Sequence, residues 1–200
     1  MDEHIKLDGD LAEFLGIMSG DGYIGKLNNE ITVTGHILRD KHYMHLQVAP
    51  LFEKLFGIKP KMRTQPKFSA IRCRVYSKYL AEFFSSEFSF PRGKKTEQLA
   101  IPIKIKENRQ LIISFIRGLF DTDGSVYTHH GNDLMLEISA VGKRFHEDIF
   151  EALQSLDFHP YRGINKIILY RQSEIAKFFK LVKPKNDNHI RRFTELNMRR

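Results

Sequence analysis

Two aspartates, Asp21 and Asp123, are the residues of this chain whose type and setting best suit chemistry. Each closes an apolar helical run and is followed by glycine. The first run reads Leu11-Ala12-Glu13-Phe14-Leu15-Gly16-Ile17-Met18-Ser19-Gly20-Asp21-Gly22. The second reads Ile113-Ser114-Phe115-Ile116-Arg117-Gly118-Leu119-Phe120-Asp121-Thr122-Asp123-Gly124. A carboxylate at a helix C-terminus opposes the macrodipole by roughly 0.3–1 kcal/mol, and two brought together repel. A divalent cation removes both objections. Mg²⁺ commonly takes one or two carboxylates, some waters and phosphate oxygens. Asp-Gly after a helix is also an ordinary turn. Its recurrence in the same context favours the chemical reading, a metal-assisted attack on a nucleic-acid phosphate. Asp121 occurs in the second copy only and reads as a helix-end or interface residue rather than a ligand.

The elements that must bring these acids together can be read from the same runs. Gly16 and Gly20 lie on one helix face, and Gly118 and Thr122 take the same places in the second copy. Small residues at this spacing let two helices approach closely. Side-by-side packing would place Asp21 and Asp123 at one end of the seam. Gly22 and Gly124 would then take the left-handed position after each helix.

The duplication extends past the motifs. Tyr23-Ile24-Gly25-Lys26 and Glu30-Ile31-Thr32-Val33-Thr34 answer to Ser125-Val126-Tyr127-Thr128 and 134–139, with 129–133 as a turn. Helical patterns follow over 41–56, with Leu46, Leu51, Phe52 and Leu55 as apolar positions, and over 144–156, with Phe145, Ile149, Phe150 and Leu153. Second strands cover 71–76 and 166–171. Ile71, Cys73 and Val75 face one way, and Arg72, Arg74 and Tyr76 the other. Further helices cover 79–84 and 174–179. The expected fold is α+β: two αββαββα halves, 1–90 and 109–200, joined by a polar connector over 91–108 that contains Pro102.

Composition narrows the partner. The 200 residues carry 32 Lys+Arg against 24 Asp+Glu, with a pI near 9.5, which suits an anionic partner or simply a basic surface. No apolar run approaches membrane-spanning length, and the charged start Met1-Asp2-Glu3-His4 has no signal-peptide core. One cysteine, Cys73, excludes an internal disulfide and a multi-cysteine zinc site. This points to a reducing, cytoplasmic (or organellar or nucleoid) setting, not secretion.

Residues 14–22 and 116–124 lie on the nine-residue motif of the LAGLIDADG homing endonucleases, and the chain resembles their single-chain, two-motif type. The resemblance covers nearly the whole chain. It implies pseudo-twofold halves with saddle-shaped antiparallel sheets lying in the major groove of duplex DNA, in a monomer acting as a pseudo-dimer. It implies metal held by Asp21 and Asp123, helped by the carbonyls of Gly20 and Thr122. Mg²⁺ is the expected cofactor, with Mn²⁺ substituting and Ca²⁺ binding without cleavage. Each site would serve one strand, leaving short 3′ overhangs at a long asymmetric target. His36, where some relatives carry glutamine, is a candidate for positioning water, or else has a structural or DNA-backbone role. Lys95 and Lys185 are candidates for the phosphates beside each metal, or else are solvated lysines.

If the sheets lie in the groove, the residues opposite their apolar faces become candidate DNA contacts. In the first half these are Lys26, Thr32, Thr34, Lys61, Arg63, Arg72 and Arg74. In the second they are Tyr127, His129, Glu137, Ser139, Arg162 and Lys166. The basic tail, with Lys183, Lys185, Arg191, Arg192, Arg199 and Arg200, either follows the DNA backbone or is a frayed end. His129-His130 reads as loop. An intein would begin with cysteine or serine and end near His-Asn. This sequence runs from Met1 to Arg200, so the expectation is an intron-encoded or free-standing protein, or an excised domain. The alternative is a non-cleaving binder on the same scaffold, either an intron-RNA maturase or a transcription regulator.

Overall fold

A computed structural model describes residues 5–129 and 133–198. The first half runs α1 (Gly9–Gly20), β1 (Gly22–Ile24), β2 (Glu30–His36), α2 (Lys41–Tyr43), a π-helical segment (Met44–Val48), α3 (Ala49–Phe56), β3 (Lys61–Gln65), β4 (Ala70–Tyr76) and α4 (Lys78–Phe88). A short helix, α5 (Ile103–Lys106), precedes the second half. That half runs α6 (Arg109–Asp123), β5 (Gly124–His129), β6 (Asp133–Ser139), α7 (Lys143–Ser155), β7 (Tyr161–Gly163), β8 (Lys166–Leu169), α8 (Gln172–Val182) and α9 (Asp187–Met198). The two sheets are antiparallel and share one strand order, β1-β2-β4-β3 and β5-β6-β8-β7. The fold is therefore the duplicated α+β architecture that the sequence suggests. Among the described residues, no helix is long and apolar enough to cross a membrane.

The motif helices α1 and α6 pack at the centre, and glycine is what permits it. A Cβ on Gly16 would lie 2.1 Å from the Phe115 carbonyl oxygen. One on Gly118 would lie 2.0 Å from the Glu13 carbonyl oxygen. Both approaches are to backbone, so neither can be relieved by turning a side chain. Asp8 caps the N-terminus of α1, and Asn108 that of α6, each accepting from backbone N–H groups. One contiguous core runs through both halves. Phe14 packs against Phe52, Phe56 and Phe84 on the first side. Phe120 packs against Phe178 and Phe179 on the second.

Four local expectations are corrected. Gly22 and Gly124 are not left-handed, since each helix passes directly into a strand; Gly124 has φ −91° and ψ 160°. Glycine is needed there for space. A Cβ on Gly22 would meet Met18 Cα at 2.4 Å, and one on Gly124 the Phe120 oxygen at 2.3 Å. Leu46 is exposed, because the π turn shifts the apolar seam to Met44, Val48 and Phe52. The 91–108 connector is less polar than it reads: Leu99, Ile101 and Ile105 are buried, and Asp148 accepts from the Ile101 N–H. The tail is helix α9, docked by Phe193 stacking on Phe179 at 4.0 Å and by His189 against Phe120. Of the residues read above as loop or tail, His130, Arg199 and Arg200 lie outside the described residues.

The seam yields a direct test. Gly118→Ala forces the motif helices apart and should cost about 3 kcal/mol, lowering Tm by about 6–12 °C. Gly57→Ala changes a left-handed residue (φ +64°) with open space around it and should cost only about 1 kcal/mol. Thermal denaturation of the two variants side by side checks this. Equal, small shifts would rule out the close approach.

Candidate active site

Asp21 caps the C-terminus of α1, its N–H bonded to the Ile17 carbonyl at 3.1 Å. Its carbonyl accepts from the Thr34 N–H at 3.1 Å, which ties the motif to β2. Asp123 is the last residue of α6. A Cβ on Gly20 would meet the Thr122 hydroxyl at 2.1 Å and the Asp123 carboxyl carbon at 3.4 Å. The two motif ends are therefore in contact, with both aspartates partly buried between them.

Burial pushes the Asp21 carboxyl up to about 8, with repulsion from Asp123 and then Asp40 adding to it and Lys95 opposing. Asp123 is likewise raised by burial, against the pull of Lys95. The Lys95 ammonium donates to the carbonyls of Met18 at 3.0 Å and Gly22 at 2.8 Å, and to that of Gly20. A cation is thus built into the negative end of α1. Burial lowers Lys95 to about 8, although Asp123 and Asp21 both favour its charge. One lysine does not satisfy two partly buried carboxylates. Two carboxylates that resist ionising next to each other, beside helix-end carbonyls, are a donor set that fits a hard divalent cation.

His36 closes a turn: its Nδ1 accepts from the N–H groups of Leu38 at 3.2 Å and Arg39 at 3.3 Å, which leaves Nε2 for any other role. Lys185 does not project toward the groove. Its ammonium lies 2.7 and 2.9 Å from the Glu13 carboxylate oxygens, and Arg117 reaches the same carboxylate at 2.9 Å. This corrects the expectation that Lys185 reaches a phosphate, because the buried Glu13 charge draws it into the seam. Asp121 is an interface residue, as expected. It is buried and accepts from the backbone N–H groups of Lys185 and Asn186. Burial pushes it up to about 7, against those bonds.

Strand register places the candidate DNA contacts. Thr32 and Thr34 sit opposite Arg74 and Arg72, and Lys61 and Arg63 opposite the same pair from the other side. All six share the sheet face away from the core. Thr32 is nonetheless buried on that face, with no partner for its hydroxyl among the described residues. Lys26 is exposed in the β1–β2 turn. In the second half Tyr127, His129, Glu137, Ser139 and Lys166 share the corresponding face. Arg162 does not. It pairs in register with Ile167, so its side chain leaves on the helix side. There it bonds Glu147 and stacks over Phe150, 3.7 Å from the ring centroid. Its candidacy as a DNA contact is withdrawn.

Sequence reasoning missed Glu13, Asp40, Tyr43 and Asn186. Asn186 bridges the Asp40 carboxylate and the Asp121 carbonyl. The buried Tyr43 hydroxyl has no hydrogen-bond partner among the described residues. The available signal was Glu13, a lone charge inside the run Leu11–Met18.

Glycine-seamed helices that end in paired aspartates, each followed by a four-stranded sheet, form the two-half fold that the LAGLIDADG resemblance implies. Residues 110–182 match the LAGLIDADG-like domain, and the first half repeats its motif and strand order. The structure superposes on the homing endonuclease I-DmoI in complex with DNA and Ca with a TM-score of 0.62, at 20% identity, covering 87% of this chain and 88% of that one. It also matches the N-terminal LAGLIDADG domain of DUF199/WhiA with a TM-score of 0.60, at 16% identity, covering 90% and 84%. Two curated proteins share part of the sequence. One is the tRNA-splicing ligase RtcB of Pyrococcus abyssi, 32% identical over 144 residues. The other is the replication factor C small subunit of Methanocaldococcus jannaschii, 34% identical over 145 residues. The matches take in 62% and 72% of this chain but only 14% and 7% of those proteins.

The acid pair has a consequence for stability. With no metal bound, the folded protein holds the Asp21 proton more tightly than the unfolded chain does. Stability should therefore fall as pH rises from about 4 to 8. Asp21→Asn removes the charge and should raise the metal-free Tm at pH 8 by about 2–5 °C, with little change at pH 5. Thermal scans in chelator at both pH values decide it. A lower Tm at pH 8 in the variant would contradict the assignment of Asp21 as a destabilised acid.

Proposed function

We propose that this protein is a site-specific double-stranded DNA endonuclease that hydrolyses one phosphodiester on each strand and leaves short 3′ overhangs at a long asymmetric target. The observation that carries this reading is the pair of partly buried carboxylates, Asp21 and Asp123, at the touching ends of α1 and α6. As scaffold alone the pair is unfavourable; as a cation site facing a phosphate it is useful. A divalent cation held there supplies charge for the phosphate transition state and acidifies water. Asp21 and Asp123 would each hold a cation, with the Gly20 and Thr122 carbonyls as candidate further donors. Lys95, held at the carbonyl end of α1 and within the field of both acids, would offset charge at the scissile phosphates. The polar faces of the two sheets grip the duplex on either side, so that one chain works as a pseudo-dimer.

Two likenesses support the reading. The fold is shared with an endonuclease whose structures are described with DNA and with Ca or Mn. Moreover, 62% and 72% of this chain align, at about one third identity, with small parts of two differently named proteins, an RNA ligase and a replication factor. A mobile element that inserts into different genes leaves this pattern. Mg²⁺ is the proposed working metal. The fold shared with DUF199/WhiA favours a second reading, a binder of DNA or intron RNA that does not cut. Retention of both acids argues for the enzyme.

Cleavage selection on a randomised duplex library in Mg²⁺, with a Ca²⁺ control, tests the proposal. Asp21→Asn or Asp123→Asn should reduce double-strand cutting by at least about 100-fold, while duplex binding in Ca²⁺ stays within a few-fold of wild type. Binding without cutting by the wild type would transfer the assignment to the non-cleaving reading.

A further inference from the structure

Resting on the reading of both sheets as duplex-facing, we propose that the two half-sites are recognised by different means. The N-terminal sheet anchors a half-site bearing guanines through cationic side chains that, Arg74 excepted, have no ion-pair partner among the described residues. The C-terminal sheet reads a cytosine amino group through a pre-oriented carboxylate and adds little phosphate affinity.

Register makes the comparison possible, because it fixes which residues share each polar face. On the N-terminal face stand Lys61, Arg63, Arg72 and Arg74, with Glu30 as the acid among them. Among the described residues Lys61, Arg63 and Arg72 have no ion-pair partner, and Arg74 is 3.8 Å from Glu30. Arg72 Nε is buried without a hydrogen-bond partner. Arg72 and Arg74 alternate on the inner strand β4, about 7 Å apart along it. This spacing matches about two base-pair steps at 3.4 Å each. A guanidinium with open donors favours bidentate contact with guanine O6 and N7, and the flanking Lys61 and Arg63 suit phosphates.

The C-terminal face reverses this balance. Its lysine, Lys166, stands with two acids, Asp133 and Glu137. Lys166 is tied to Glu137 at 2.8 Å, and Tyr127 donates to the same carboxylate oxygen at 2.9 Å. Burial would raise the Glu137 carboxyl, but the bonds from Lys166, Tyr127 and Ser125 hold it below its usual range, so it stays ionised. An ionised, braced carboxylate repels phosphate. Its favourable partner in the major groove is an exocyclic amino donor, for which cytosine N4 is the usual match.

The test is binding selection from a randomised duplex library in Ca²⁺, followed by affinity against salt on the selected duplex. Guanines two steps apart should be enriched in one half, and Arg72→Lys or Arg74→Lys should erase that preference alone. Cytosine should be enriched at one position of the other half, and Glu137→Gln should relax that position while tightening non-specific binding. Randomising the guanine half should weaken binding at least about ten-fold more than randomising the other. Lys61→Ala/Arg63→Ala, on an exposed edge strand, should reduce the salt slope by about 2, and Lys166→Ala should leave it nearly unchanged. Equal losses from the two halves, equal salt slopes, or no base change in Glu137→Gln would overturn the division of labour with duplex binding intact. Selection of no duplex at all would instead overturn the duplex reading on which it rests.

Discussion

The backbone contact between α1 and α6 at Gly16 and Gly118 is the constraint on which the rest of the molecule depends. It brings the helix ends close enough for Asp21 and Asp123 to repel and for one lysine, Lys95, to feel both. It also sets the two sheets side by side, because each strand system begins at the residue after the motif aspartate. A side chain at either glycine would separate the catalytic candidates and the two polar faces together. Site geometry and overall architecture are therefore one property of this fold.

That constraint works against stability at its own end. The seam is apolar and closely packed along most of its length, yet it finishes in groups that resist their charges. Carboxylates rather than amides at this position leave unrelieved repulsion that the proposed cation would remove. Lys95 relieves part of the tension by capping the carbonyls of α1, and the remainder leaves the site receptive to a harder cation.

Much of the fold was legible because its signals are periodic. Alternation over 71–76 fixed the buried face of β4, and apolar spacing located the helices. Legibility failed where a single geometric event changes phase. The π turn at Met44–Val48 moves the buried seam off Leu46, and nothing in the composition of that helix announces it. Strand parity decides Arg162 in the same way: one residue of register separates the open sheet face from the core, and β7 is three residues long. Long-range polar pairing was also illegible. Glu13 with Arg117 and Lys185, and Asn186 with Asp40 and Asp121, join residues far apart in the chain. Only the assembled seam brings them together. The aspartates were visible because they recur; their supporting residues occur once each and gave no repeat to notice.

The Glu13 bridge bears on the ancestry of this molecule. In the duplication, Glu13 answers to Phe115 and Arg117 to Leu15, so the ion pair belongs to neither half alone. Two copies of the first half would bury Glu13 opposite Leu15, and two copies of the second would set Arg117 against Phe115. A buried carboxylate without its partner costs about 3–5 kcal/mol, and a symmetric dimer would incur that cost twice. The Glu13–Arg117 pair therefore suits the two unlike halves joined as they are, and not two copies of the first.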